Sequence, residues 1–193
     1  MAQGDDGRHL EVEAKVALDS PDALRAALHR LGASASPAAV EEDAFFTHPG
    51  RDLATSDEAL RLRSLAPGQD GGGRFELTYK GPRQAGAYKA REERTVRLAD
   101  DPTALLQALG FRVSVRLRKT RERHRLGSLE VTLDHVDGLG WFAEVEAMAS
   151  DARAAEAAVQ AGLRELGLDG RPRVQGSYVE LALAAGAPAV ERE

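Results

Sequence analysis

The sequence predicts an α+β fold: an eight-stranded antiparallel β-barrel forming a tunnel, with helices packed outside. Three observations predict it. Segment after segment of strand length alternates apolar and charged residues at period two. Short turns such as His48-Pro49-Gly50, Gly81-Pro82 and Gly127-Ser128 separate them, which favours pairing as hairpins. The polar faces of these strands carry Arg, Lys, Glu and Asp together. A sheet with one solvated face would have to crowd both signs on that face, whereas one shared charged interior explains every strand with a single cause.

The first strand is His9–Val16, with Leu10, Val12, Ala14 and Val16 on one face and Glu11, Glu13 and Lys15 on the other. A helix follows: Ser20 is the N-cap and Pro21 the first helical position, Leu24, Leu28 and Leu31 form a stripe, and Gly32 stops it. Val40–Thr47 is a strand with an acidic start and the pair Phe45-Phe46. Ala59–Leu65 places Arg61 and Arg63 opposite Leu60 and Leu62. The run Pro67–Gly73 is rich in glycine but lacks the Lys-Ser/Thr ending and the following helix of a phosphate cradle, so it reads as a hairpin loop.

Arg74–Lys80 sets Phe75, Leu77 and Tyr79 against Glu76, Thr78 and Lys80. Tyr88–Leu98 is read as one strand with Arg91, Glu93, Thr95 and Arg97 on a shared face. Asp101-Pro102 opens a short helix that ends before Gly110. Val113–Leu126 is a strongly basic strand; Leu129–Asp134 and Trp141–Met148 follow, the last with Glu144 and Glu146 aligned. Ser150 or Asp151 caps an Ala-rich helix that Gly167 ends. Ser177–Ala185 is a last short helix or strand. Residues 1–185 read as a single domain and 186–193 as a disordered tail.

Composition narrows the function classes. At 193 residues with 42% hydrophobic and 30% charged residues, the chain can bury a real core. A net charge of -5 gives no support to a general nucleic-acid-binding surface. The absence of cysteine excludes a disulfide scaffold, zinc–thiolate ligation and a cysteine nucleophile. No apolar run approaches the roughly 18 residues of a membrane span, and Met1–Arg8 is polar, so a cytoplasmic protein without a membrane partner is expected.

The charged faces suggest a chemistry. Arg and Lys drawn from several strands suit a polyphosphate, because Arg forks bind phosphate oxygens in pairs and Lys supplies a point charge. Acids in the same space would repel that ligand unless a divalent cation lies between them. Mg²⁺ or Mn²⁺ is the natural ion, with oxygen ligands from carboxylates, water and phosphate. The five histidines are scattered, which argues against zinc. Taken alone, Arg116–Arg125 would read as a basic patch for RNA, and Glu144 and Glu146 as a solvated strand face.

The blocks also resemble a known family. Glu11-Val-Glu13-Ala-Lys15 resembles the ExExK signature of the CYTH domain, the triphosphate tunnel metalloenzymes. Further blocks follow in that family's order: Asp43-Ala-Phe-Phe46, Ala59-Leu-Arg61-Leu-Arg63, Leu77-Thr-Tyr-Lys80-Gly-Pro82, Arg91-Glu-Glu93, Lys119-Thr-Arg121, Leu133-Asp134 through Gly138-Leu-Gly140-Trp-Phe142-Ala-Glu144-Val-Glu146, and Ser177-Tyr178. Together they cover residues 9–183.

The resemblance implies one or two Mg²⁺ or Mn²⁺ ions held by Glu11, Glu13, Asp134, Glu144 and Glu146. It implies phosphate binding by Lys15, Arg61, Arg63, Lys80, Arg91, Lys119 and Arg121, with Lys15 and Glu13 nearest the chemistry. Glu93, Arg123 and Arg173 are secondary candidates: Glu92 competes with Glu93 for the inner face, and Arg173 substitutes for a basic residue the family often has where this chain has Gly176. The implied reaction is metal-dependent phosphoryl or nucleotidyl transfer on a triphosphate. It is closest to class IV adenylyl cyclase (ATP to cyclic AMP and pyrophosphate), with thiamine triphosphatase or tripolyphosphatase as alternatives and a non-catalytic polyphosphate-binding module as a further one. A monomer or homodimer is expected.

Overall fold

In the computed structural model, residues 10–64, 74–82, 89–149 and 151–186 are described. The elements are β1 (Leu10–Leu18), α1 (Asp22–Arg30), β2 (Ser34–Ala35), β3 (Ala39–Thr47), β4 (Ala59–Ser64), β5 (Phe75–Lys80), β6 (Lys89–Arg91), β7 (Glu93–Leu98), α2 (Thr103–Ala108), β8 (Arg112–Leu126), β9 (Leu129–Val136), β10 (Gly140–Ala149), α3 (Ala152–Glu165) and α4 (Tyr178–Ala184). The Pro67–Gly73 loop and the end of the tail lie outside the described residues.

All the strands join one antiparallel sheet in the order β6-β1-β10-β9-β8-β3-β4-β5-β7, with β2 added beside β8. The two ends of this path are consecutive in the chain. The strand expected over Tyr88–Leu98 is divided at Glu92: its first part pairs with β1 and its second with β5. One interrupted strand thus belongs to both edges and curls the eight-stranded sheet back on itself, as the expected barrel requires. The break has a geometric reason, since a strand must switch neighbours there. Gly81 N–H donates to Glu92 O at 2.9 Å and holds the crossing point.

The outer faces make two apolar layers. Val12, Ala14 and Val16 of β1, Val131 and Leu133 of β9, and Ala143, Val145 and Ala147 of β10 pack under α1 and α3. A Cβ on Gly162 of α3 would stand 2.4 Å from Leu129 Cδ1, so this glycine allows the helix to seat closely on the sheet. Ala44, Phe46 and Leu62 pack beneath Leu106 of α2.

Helix starts follow the sequence chemistry to within a residue: α1 and α2 begin one position later than expected, with Pro21 and Pro102 at the N-cap. Ser20 Oγ accepts Asp22 N–H, Asp101 accepts Thr103 N–H, and Asp151 accepts Arg153 N–H. The segment left open as helix or strand is α4, and a capping box explains it: Ser177 Oγ accepts Glu180 N–H while Glu180 accepts Ser177 N–H.

A third apolar group sits inside the barrel at one end. Val136, Phe142 and Leu117 meet Tyr178, Leu181 and Val174. By strand parity these positions share the inner face with Asp134, Glu144 and Lys119, so α4 packs into that end and the charged residues lie beyond it.

Candidate active site

Period two carries the charged side chains inward. β1 contributes Glu13 and Lys15, β10 Glu144 and Glu146, β9 Asp134, and β8 Lys119, Arg121 and Arg123. β3 contributes Asp43, β4 Arg61 and Arg63, β5 Lys80, and the divided strand Arg91 and Glu93. Except for Asp134, these residues line one cavity of about 900 Å³, together with the 48–58 loop and the exposed side of α4. Asp134 is fully buried in the wall behind it.

Three acids come together. Glu13, Glu144 and Glu146 each offer a carboxylate oxygen, and these oxygens lie within 4.8 Å of one another. The register explains this: Glu13 pairs across the strands with Glu146, and Lys15 with Glu144. A set of three hard oxygen donors beside a cavity walled by arginine and lysine fits Mg²⁺ or Mn²⁺, whose shells take carboxylate, water and phosphate oxygens. Glu11 occupies the register position opposite Met148 and Arg91; its side chain lies outside what is described.

Lys15 stands at the edge of this trio. Its Nζ is 3.1 Å from Glu144 Oε1, 3.4 Å from the Gly176 carbonyl and 3.9 Å above the Tyr178 ring centre. Burial opposes ionisation of Glu144, but Lys15, Arg121 and Lys119 outweigh it and hold its pKa well below the ordinary range.

Asp134 sits apart from the trio, clamped by cations. Arg121 grips it with two prongs, the Tyr178 hydroxyl donates to it at 2.9 Å, and Lys119 Nζ is 3.6 Å away. Arg121 also reaches Glu144. Arg63 is held similarly, with Nε 2.7 Å and Nη2 2.8 Å from the two Asp43 oxygens. Lys80 and Arg91 both face Glu93, and Glu92 points out to Arg94, which places Glu93 on the inner side.

Lys119 is buried with Arg121 and Arg63 close by. Burial, then those two charges, push its pKa down to about 8. Arg61 differs from the other inner cations. Among the described residues it has no carboxylate within ion-pair distance; Nη2 donates to Thr78 Oγ1 at 3.3 Å, and Nε is buried without a partner. Burial and Arg63 lower its pKa.

Arg123 faces Glu41 and Glu130 at the rim. Arg173 pairs by its backbone with Val16 and is absent from the cavity lining. Arg116 and Arg118, from the stretch that alone suggested RNA, point outward, while Lys119, Arg121 and Arg123 point inward.

Sequence reasoning gave no role to Glu41, Asp43 or Tyr178. Alternation in Glu41-Glu42-Asp43 opposite Ala44 and Phe46 was the available signal for the two acids. Tyr178 carried no such signal, since its partners come from β1, β8 and β9.

The CYTH domain family matches this chain over residues 9–178. The chain belongs to the CYTH family. This CYTH domain is 36% identical over 144 residues to MJ0240 of Methanocaldococcus jannaschii, which carries a provisional adenylate cyclase name; the match covers 74% of this chain and 79% of that one. It is 32% identical over 146 residues to the adenylate cyclase CyaB of Aeromonas hydrophila, covering 73% and 70%. Among solved structures, PH1819 of Pyrococcus horikoshii superposes with a TM-score of 0.78 at 31% identity, covering 90% of this CYTH domain and 98% of that chain. Among the described residues no helix is long and apolar enough to cross a membrane.

Proposed function

We propose that this CYTH domain is a divalent-metal-dependent enzyme that cleaves a nucleoside triphosphate inside its tunnel, converting ATP to cyclic AMP and pyrophosphate. The observation that carries the reading is the carboxylate trio Glu13, Glu144 and Glu146 set against a cavity wall of arginine and lysine. The names of the two relatives, one an adenylate cyclase and the other provisionally named as one, support the choice of reaction.

Glu13, Glu144 and Glu146 would hold Mg²⁺ or Mn²⁺, and Asp134 would keep Arg121 in place beside them. The bound ion supplies charge neutralisation on phosphate oxygens and acidifies an attacking hydroxyl. Arg61, Arg63, Lys80, Arg91, Lys119 and Arg121 bind the triphosphate from several walls, so the chain is fixed at more than one phosphate. Lys15, at the trio's edge, steers the phosphate nearest it.

In cyclisation the ribose 3′-oxygen bonds to the α-phosphorus, the bond to the β-phosphate bridging oxygen breaks, and pyrophosphate leaves. The hydroxyl proton passes to solvent. The arginines and lysines offset the charge that builds on the departing phosphates, and such fixed positioning with charge compensation is most of what phosphoryl transfer requires. No serine or cysteine nucleophile takes part.

The test is turnover of ATP, thiamine triphosphate and inorganic tripolyphosphate with Mg²⁺ or Mn²⁺, reading cyclic AMP, pyrophosphate and phosphate separately. Cyclic AMP with pyrophosphate from ATP supports cyclisation. Phosphate release without cyclic AMP replaces it with hydrolysis at the same site. Binding with no product would leave a polyphosphate-binding module.

A further inference from the structure

One buried acid has no part in the mechanism above. Glu41 of β3 is 1% exposed, and it is absent from the cavity lining. Four cations nevertheless converge on it. Arg63 Nη1 is 2.9 Å, Lys119 Nζ 3.4 Å and Arg121 Nε 4.0 Å from Oε2, while Arg123 Nη2 contacts Oε1. All four cations do line the cavity, so Glu41 stands behind the wall they form.

Each of these cations also has another carboxylate. Asp43 forks Arg63, Asp134 forks Arg121, Lys119 is 3.6 Å from Asp134, and Arg123 is 3.7 Å from Glu130. The two-pronged contacts fix both guanidinium planes without help from Glu41. What Glu41 adds is therefore charge more than shape. A glutamine of nearly the same volume would fill the space without the cost of burying an ion.

We propose that Glu41 is a built-in counter-anion that sets how tightly the tunnel holds a polyphosphate, stabilising the empty tunnel and weakening the occupied one. This rests on the reading of the tunnel as a triphosphate site. In the empty protein the carboxylate offsets the mutual repulsion of Arg63, Lys119, Arg121 and Arg123. When phosphate oxygens approach the same cations from the cavity side, Glu41 becomes a like charge a short distance behind them. At an effective dielectric of about 20, one unit charge at such range changes anion affinity by about tenfold or more.

The experiment uses the whole chain, inorganic tripolyphosphate and EDTA, so that metal binding does not enter. Calorimetric titration of E41Q is expected to show affinity about tenfold or more above wild type. The empty variant should melt lower, and tripolyphosphate should raise its melting temperature by more than it raises that of wild type. With substrate, KM should fall without a rise in kcat. A residue that merely held shape would give weaker binding when changed, so weaker or unchanged affinity overturns the proposal.

If E41Q does not fold, the comparison is made between R123Q and E41Q/R123Q, where one cation has been removed as well. The second should again bind tripolyphosphate about tenfold more tightly than the first, and equal or weaker binding counts against the role of Glu41. Wild type that binds tripolyphosphate only with saturating Mg²⁺ moves the same comparison to Mg²⁺, and wild type that binds it neither in EDTA nor with Mg²⁺ overturns the triphosphate reading and this proposal with it. Wild type that binds, with glutamine variants no tighter, overturns only the proposal.

Discussion

The Tyr178 hydroxyl donates to Asp134 Oδ2 at 2.9 Å, tying the first turn of α4 to the middle of β9. The same ring lies under Lys15 Nζ at 3.9 Å and within 5.2 Å of Lys119 Nζ. One aromatic side chain thus orients an acid with its edge and two lysines with its face. Burial, then Glu144 and Asp134, raise the phenol pKa well above its ordinary value, so it remains a donor at neutral pH.

These two functions separate by substitution. Y178F keeps the ring and removes the donor to Asp134, and should lower stability by about 1–2 kcal/mol with a modest loss of activity. Y178L removes the ring as well and should raise KM further, since the lysines lose a cation–π contact of about 0.5–2 kcal/mol. Equal kinetics for the two variants would show that the ring face does not matter. Denaturant melts and steady-state kinetics provide the comparison.

The carboxylate trio predicts metal binding that depends on Glu13 and Glu146. Calorimetric titration with Mn²⁺ should show E13Q and E146Q weakened by more than the roughly 10–100-fold typical of changes outside the ligand shell. Their melting temperatures without metal should stay near wild type, and EDTA should abolish turnover in every form. Unchanged Mn²⁺ affinity in both variants removes the trio as the metal site.

Arg61 is the inner cation without a carboxylate partner among the described residues, and its Nε is buried unpaired. Removing it should cost the empty protein little stability, or even add some, because the burial cost of a charge that Asp43, Glu93 and Glu41 offset only from a distance disappears. Triphosphate binding should weaken by about 10-fold or more, the scale of a charge-assisted phosphate contact. A falling melting temperature with unchanged KM for R61A would contradict this.

Lys119 gives a pH dependence. Its folded pKa is about 8 against an ordinary 10.5, so between those values the unfolded chain holds more protons than the folded one. Its contribution to stability therefore rises with pH across that window, and its cost is greatest below pH 8. Anion binding moves the other way: as pH rises through 8 the ammonium is lost and tripolyphosphate affinity should fall. K119R should remove that fall, because arginine stays charged. A titration series from pH 7 to 9.5 measures both.

Glu41 gives an acid-side dependence. Burial opposes its ionisation, but Arg63, Arg121, Lys119 and Arg123 hold its pKa at about 2 against an ordinary 4.5. The stability it contributes is complete above pH 4.5 and is lost as pH falls toward 2. E41Q should flatten the acid limb of a melting-temperature profile, and an unchanged limb would show that other acids dominate it.

Much of the fold was legible in the chain because strand alternation is a local property. Arg61-Leu62-Arg63 and Glu144-Val145-Glu146 declare their two faces within a few residues, and Ser20-Pro21 and Asp101-Pro102 declare helix starts. The charged interior could be inferred from them because every strand repeated the same arrangement. Tyr88–Leu98 looked continuous because nothing within it reveals that its halves serve two different neighbours; ring closure divides it at Glu92.

The sequence by itself determined which side chains face inward on most strands, since period two needs only the chain's own geometry; between Glu92 and Glu93 the structure decided, because the strand breaks there. The tertiary structure decided what those side chains touch. Glu13 meets Glu144 and Glu146 only through the register of β1 on β10, and Asp134 meets Arg121 and Tyr178 only through β8 and α4. Glu41 gathers four cations from β4 and β8 that lie more than twenty residues away in sequence. Such contacts depend on register and closure, long-range relations that no local pattern in the sequence encodes.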